Sequence, residues 1–403
     1  MPSESEEIWR YSRIDELGPG RYAPCPIGAT GEVDLGGLPG ELQGLVAAAG
    51  PAATVLVSHN GGNGRVVRPQ QGLEVVGGGP GPIGAGPGLV VAGPPADVWS
   101  DLNMAFVVVP WRVTVAPGAD IAGPVVVVHW MDCERTAVFP RLEVEVGKDA
   151  SVKVVEVIAS ADVSVLAVPV ARAALAAGSR LGFGQVQLLG RRAWQLGNQV
   201  SRLGRDAALR SMTVALGGDY ARVRSDSVLE GAGGDSELLA AYFGCGDQMH
   251  DLRTVQHHAA PRSRSNLLFK GAVANRAHSV YSGLIRVEKG ARGTNAFQTN
   301  RNLVLSDGAQ ADSVPNLEIE DNDVRCSHAS AVGPIDESQL FYLESRGVPT
   351  QAAERLIALG FMDDVVERFP VGGMLAWLRG ALVAKLASAG FGVPDQGPVR
   401  EAG

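Results

Sequence analysis

The sequence predicts a mainly β protein: a parallel β-helix, preceded by an irregular N-terminal region and followed by a helical lobe. Three observations predict it. From about residue 100 to 333, short β-branched runs such as Val125–Val128, Val152–Val157 and Leu303–Leu305 alternate with Gly/Asp/Ala turns, and helical periodicity is nearly absent. The turns recur at Gly118, Gly147, Gly178, Gly204, Gly233, Arg262 and Gly290, with separations of 29, 31, 26, 29, 29 and 28. After residue 333 the apolar spacing becomes helical. A fixed period of short strands means coils that bury one shared core by stacking. The domains expected are 1–95, 96–333 and 334–403. A β-sandwich of hairpins is the competing architecture, and the even repeat favours the solenoid.

Within the first 95 residues the short strand candidates are Thr54–Ser58 and Leu73–Val76. Gly79, Gly81 and Gly84 formally match G-x-G-x-x-G, but Pro80, Pro82 and Pro87 interrupt the helix that a dinucleotide site needs. In the solenoid, the turns Gly147-Lys-Asp-Ala150 and Gly204-Arg-Asp-Ala207 share one shape, with Gly for a positive φ and Asp to bond the backbone. Half-way turns at Gly190, Gly218, Gly246 and Asn275 imply two strands per coil of about 29 residues. In the lobe, Asp336 and Gln339 stand in capping-box spacing, and Gly347 ends the first helix. A second opens at Pro349 and Thr350 and stops at Gly360. A third covers Met374 to Ser388 with Trp377, Leu378, Leu382 and Leu386 on one side.

Composition narrows the function. Gly and Pro number 52 and 24 of 403 residues, yet 45% are hydrophobic, which excludes a disordered chain. Charged residues are 19%, which excludes a coiled coil, and the net charge of −8 argues against a nucleic-acid binder. The four cysteines, Cys25, Cys133, Cys245 and Cys326, form no CxxC and fit a reducing cytosol. The polar start Met1–Glu7 does not read as a signal peptide. The longest apolar stretch, Val163–Ala177, is broken by Pro169 and Arg172, so no membrane span is expected.

Two segments carry soft ligands. Cys245, His250, His257 and His258 are dense, but alternation in a strand sends His257 and His258 to opposite faces. Cys326 and His328 are two apart and share a face, and thiolate with imidazole suits iron, zinc or copper. Acidic residues Asp312, Glu318, Glu320, Asp321 and Asp323 precede them. A packed cysteine with a capping histidine explains the same pattern equally well.

The run PNLEIEDNDVRCSHASAVGPIDESQLFYLESRGVP, Pro315 to Pro349, closely resembles the C-terminal signature of the SufB/SufD family of the SUF iron–sulfur cluster assembly system. The resemblance extends through GLIRVEKGARGTNAFQTNRNLVLSD, Gly283 to Asp307, and weakly to WRYSRIDEL and DLNMAF. It implies a right-handed parallel β-helix with terminal helical regions. SufB-like chains are longer and carry a functional cysteine in the strand matching Gln298–Arg301, where Asn300 stands here. The Cys326-Ser327-His328 element is SufD-like.

The resemblance therefore implies a SufD-like, non-enzymatic scaffold subunit. It would pair with a SufB-like paralogue through about 284–325, and with a SufC-like ABC-type ATPase through about 334–370. A cysteine desulfurase would act indirectly. The site residues expected are His328 and Cys326 for cluster assembly, with Asn300, Phe341, Leu356, Ile357 and Phe361 at partner interfaces. No cofactor is expected to be stably bound alone, only transient iron or a nascent cluster in the complex. A homodimer is conceivable for the isolated chain, and a cytoplasmic location without nucleic acid or membrane. The alternatives are a carbohydrate-active β-helix enzyme using Glu318, Glu320 and Asp323, and a purely structural solenoid. The paucity of aromatic platforms argues against the former.

Overall fold

The computed structural model describes residues 2–25, 35–62, 65–67, 70–77, 97–108 and 110–391. The G-x-G-x-x-G match lies outside them. Two parallel sheets face each other. Sheet A stacks Trp111–Val115, Arg141–Val146, Val170–Leu175, Trp194–Leu203, Tyr220–Leu229, Met249–His258, His278–Val287 and Gln310–Ile319. Sheet B stacks Thr54–His59, Val125–Met131, Ser151–Ser160, Arg180–Leu188, Ala208–Ala215, Asp235–Gly244, Arg264–Val273, Thr294–Val304 and Val324–Gly333. The pairings along both stacks are parallel, so the molecule is a β-solenoid of about eight coils. Inward residues such as Val127, Val144, Val154, Leu181, Leu209, Leu267 and Tyr281 fill the space between the sheets.

Left-handed residues form a ladder up one edge: Gly118, Asp149, Gly178, Asp206, Gly233, Arg262 and Gly290. At two turns the aspartate, with φ 55°, takes the strained conformation, not the glycine that the sequence suggests. Gly147 and Gly204 are required for another reason. A Cβ at Gly147 would lie 2.6 Å from the Pro117 nitrogen, and one at Gly204 would lie 2.9 Å from the Leu175 carbonyl. Close coil stacking leaves no room for a side chain there.

Among the described residues, five α-helices cover the outside. α1 (Gly40–Ala48) lies in the region read as irregular, and α2 (Val98–Phe106) is capped by Asp97, which accepts from the amides of Trp99 and Ser100. α3 (Glu337–Ser345) begins as expected, with Asp336 accepting from Ser338 and Gln339. α4 (Thr350–Val366) does not stop at Gly360; it runs on to Val366. Its continuation buries Met362, Val365 and Val366 on sheet B, which outweighs the roughly 1 kcal/mol cost of a helical glycine. α5 (Leu375–Leu386) packs Leu378, Leu382 and Leu386 on the same outer face beside Leu42 and Leu45 of α1. The lobe therefore folds back onto the solenoid. The stretch Gly372–Phe391, which the sequence reading did not single out for length, is long and apolar enough to cross a membrane by length and composition alone. Its leucines are spent on sheet B instead.

The outer face of sheet A carries the N-terminal segment. Trp9, Ile14 and Leu17 pack with Trp194, Leu196, Tyr220 and Met249. The buried Arg222 guanidinium stacks 3.6 Å from the Trp9 ring centroid, and Arg253 donates to the Ile8 and Arg10 carbonyls. The solenoid ends differ. At the N-terminal end Leu73–Gly77 and Arg65–Val67 pair antiparallel with the outermost strands. At the other end no described strand follows Gln310–Ile319 or Val324–Gly333.

Candidate functional site

The last coil is an open end. Among the described residues, its two ten-residue strands each pair on one side only. Parallel register carries the face of each residue to its partner. Ala296, Gln298, Asn300 and Asn302 point inward and are buried, so their partners Cys326, His328, Ser330 and Val332 also point along the solenoid interior. In sheet A, Ser313, Pro315, Leu317 and Ile319 continue the inward row of Tyr281, Gly283, Ile285 and Val287. With no coil above them, core-type side chains stand exposed: Leu317 at 37%, Ile319 at 42% and Val332 at 44%. Long apolar edges of this kind are ordinarily covered by a partner.

His328 sits in this end, exposed and facing along the solenoid axis. Six of the seven histidines are engaged: His59 with Asp132, His129 with Ser58, His250 with the Gly217 carbonyl, His257 with Glu288, His258 with Ser263 and Ser265, and His278 with Asp312. Of the seven histidines, His328 alone has no hydrogen-bond or ion-pair partner among the described residues. Cys326 is half-buried against Ile285, Val287, Ala291 and Ala296, and burial pushes its thiol up. It is a packed thiol on the same inner face.

Asn300 is placed differently from the sequence reading. It stands opposite Ser330; Gln298 is the residue opposite His328. Asn300 is fully buried in a closed ring of bonds: its Nδ2 donates to Tyr242 at 3.0 Å, the Tyr242 hydroxyl donates to Asn302 at 2.6 Å, and Asn302 Nδ2 returns to Asn300 at 2.7 Å. An interface role for Asn300 is thus corrected to an interior one, one coil below the end. Sequence reasoning passed over Gln298, which is buried with both amide atoms unpartnered. It also passed over Leu317, Ile319 and Val332, although their parity with the preceding coil was readable.

On the helical lobe, Phe341 (72% exposed), Tyr342 and Leu356 project from α3 and α4. Leu356 also lines a groove of about 440 Å³ with Leu303, Pro334, Ile357 and Phe361. Ile357 and Phe361 are half-buried, and the Lys270 ammonium lies 4.6 Å from the Phe361 ring centroid. Cys245 and the three nearby histidines do not converge. His250 and His258 are interior, and among the described residues no group of three potential ligands could hold a metal. Glu318, Glu320 and Asp323 stand exposed on the last coil, and Asp321 beside them caps a turn through the Gly290 and Asp323 amides.

Residues 129–361 match the family described as SUF system FeS cluster assembly, SufBD core domain, which is more than half of the chain. The chain belongs to the SufBD family. Relatives agree. The iron–sulfur cluster assembly SufBD family protein of Mycobacterium tuberculosis is 44% identical over 194 residues, 46% of this chain and 49% of that protein. The iron–sulfur cluster assembly protein SufD of Bacillus subtilis is 36% identical over 157 residues, 39% of this chain and 36% of its own length. SufD of Escherichia coli is 34% identical over 165 residues, 41% of this chain and 39% of its own. The aligned stretch thus spans about half of the mycobacterial relative and less of the other two. The SufBD match covers every coil from Val125–Met131 onward apart from its first residues, together with the open end and α3.

Proposed function

We propose that this chain is a SufD-like, non-enzymatic scaffold subunit of a cytoplasmic iron–sulfur cluster assembly complex. The open last coil carries the proposal: two unpaired edges, exposed core side chains and an unpartnered inward histidine at one place. A SufB-like paralogue would cover this end. Iron or a nascent cluster, as cargo, would meet His328, since imidazole is a ligand for iron and can relay a proton. Cys326 is a secondary donor, since burial disfavours its thiolate. Sulfur would come from a cysteine desulfurase, and a SufC-like ATPase would dock on Phe341, Tyr342 and Leu356 beside the groove. The carbohydrate-enzyme alternative has less behind it, because Glu318, Glu320 and Asp323 stand exposed and the solenoid is poor in aromatic platforms.

The test is reconstitution with SufB-like and SufC-like partners from one genome. Co-purification is expected with the intact chain and is lost for Leu317→Asp combined with Val332→Asp while the chain stays folded. Unchanged co-purification of that variant refutes the docking face.

Two further expectations follow from the same surfaces. The chain purified alone carries no stoichiometric cluster, since Cys326 and His328 fall short of the four ligands that clusters ordinarily use. Iron and acid-labile sulfide at one cluster per chain would contradict it. Phe341→Asp weakens ATPase docking by about tenfold or more, as loss of an exposed aromatic anchor does, and leaves the melting temperature unchanged. Phe361 is the poorer probe, because its change disturbs packing under Lys270.

A further inference from the structure

Cys25 and Cys133 come together at the N-terminal edge of the solenoid. Ala23 and Pro24 pair in parallel with Thr136 and Ala137, and the Cys25 amide donates to the Ala137 carbonyl at 3.1 Å. The Thr136 hydroxyl donates to the Cys133 carbonyl at 3.0 Å, folding the Cys133–Thr136 turn back on itself. This pairing brings the Cys25 side chain close enough to Cys133 for the two free thiols to interact. Asn60, held at φ 50°, fixes Cys133 from the other side: its Nδ2 donates to Sγ at 3.2 Å and its Oδ1 accepts the Cys133 amide at 3.4 Å. Both cysteines are half-buried, within reach of small reagents.

We propose that Cys25 and Cys133 form a redox-active dithiol that closes to an intramolecular disulfide by exchange with a small-molecule disulfide, stapling the N-terminal segment to the solenoid. The site is separate from the open end and does not depend on the reading of it.

The order of attack follows from the surroundings. Burial, and then contact with Cys133, pushes the Cys25 thiol up to about 11, so it keeps its proton at neutral pH. Cys133, whose sulfur accepts from the Asn60 amide, attacks first. Its thiolate displaces one thiolate from the small disulfide and becomes a mixed disulfide. Cys25 then gives up its proton and displaces the second thiol, forming the Cys25–Cys133 bond. Two protein thiols and one small disulfide become one protein disulfide and two small thiols. The staple reinforces a weak point, because among the described residues a two-residue ladder is all the strand pairing that anchors the segment bearing Trp9.

The experiment treats the full chain with oxidised glutathione at about pH 8, where thiol exchange is fast. Free thiols are expected to fall from four to two, with peptide mapping linking Cys25 to Cys133. In Cys25→Ser, glutathione should remain trapped on Cys133; in Cys133→Ser, Cys25 should react at least several-fold more slowly. Proteolytic cleavage within residues 2–22 should slow several-fold on oxidation and recover with reductant. A thiol count that stays at four, a bond involving Cys245 or Cys326, or equal glutathione uptake by the two single variants overturns the proposal.

Discussion

His328→Ala is expected to lower cluster maturation by the reconstituted complex about a hundredfold, while the complex still assembles and the chain keeps its stability. The scale is that of losing one imidazole from an iron-handling site, where even supporting residues are worth roughly ten- to a hundredfold. The lack of a stability effect is equally part of the expectation. His328 is exposed and bonds to nothing among the described residues, and changes at such positions stay within about 0.5 kcal/mol. Cys326→Ala is expected to be the reverse in kind. That side chain packs on Ile285, Val287 and Ala296, so its loss costs packing first. The measurement is iron and sulfide transfer to an apo-acceptor, with denaturation midpoints for each variant. Normal maturation by the His328→Ala complex makes this histidine structural and removes the central residue of the proposed function.

The face of His328 was legible in the sequence, but its neighbour was not, and the reason lies in the coils. The mean repeat of about 29 residues puts Asn300 one coil below His328. Real offsets vary, because turns absorb insertions without disturbing the ladders. Trp194 pairs with Tyr220, 26 residues on, and His278 with Gln310, 32 on. Between the last two strands of sheet B the offset is 30, as in Gln298 with His328. Offsets of 28 and 30 are both even, so parity survived while the pairing slipped by two. Helices escaped for a different reason. α4 passes Gly360 and α1 forms near Gly40 because both lie on the apolar outer face of sheet B, a tertiary effect that local signals do not carry. Glycine itself misled at Gly147 and Gly204, where close approach, not φ, excludes a side chain.

The solenoid is also expected to lose stability steeply as the pH falls from about 6.5 to 4. His250 and His258 are interior, and burial depresses each to about 4 from an ordinary value of 6.5. Lys385 near His250 and His257 near His258 push in the same direction. The sign follows directly. Between the two values the unfolded chain holds a proton at each histidine that the folded chain refuses, so stability rises with pH there. The contribution is complete above the unfolded value and is lost progressively down to the folded one. Each histidine is worth roughly 3 kcal/mol across that window, a large share of the 5–15 kcal/mol that ordinarily holds a protein together. The buried Asp226 carboxyl, which burial pushes up, works in the opposite sense, so the raw acid curve is not the test. His258→Gln is. It keeps a donor and an acceptor near Ser263 and Ser265 but removes the titrating group. Denaturant midpoints between pH 7.5 and 4 are expected to show a lower stability at neutral pH and a pH slope reduced by about one proton relative to the unaltered chain. An unchanged slope shows that His258 takes up its proton within the folded coil, and that the interior of the last coils is open enough to solvate the charge.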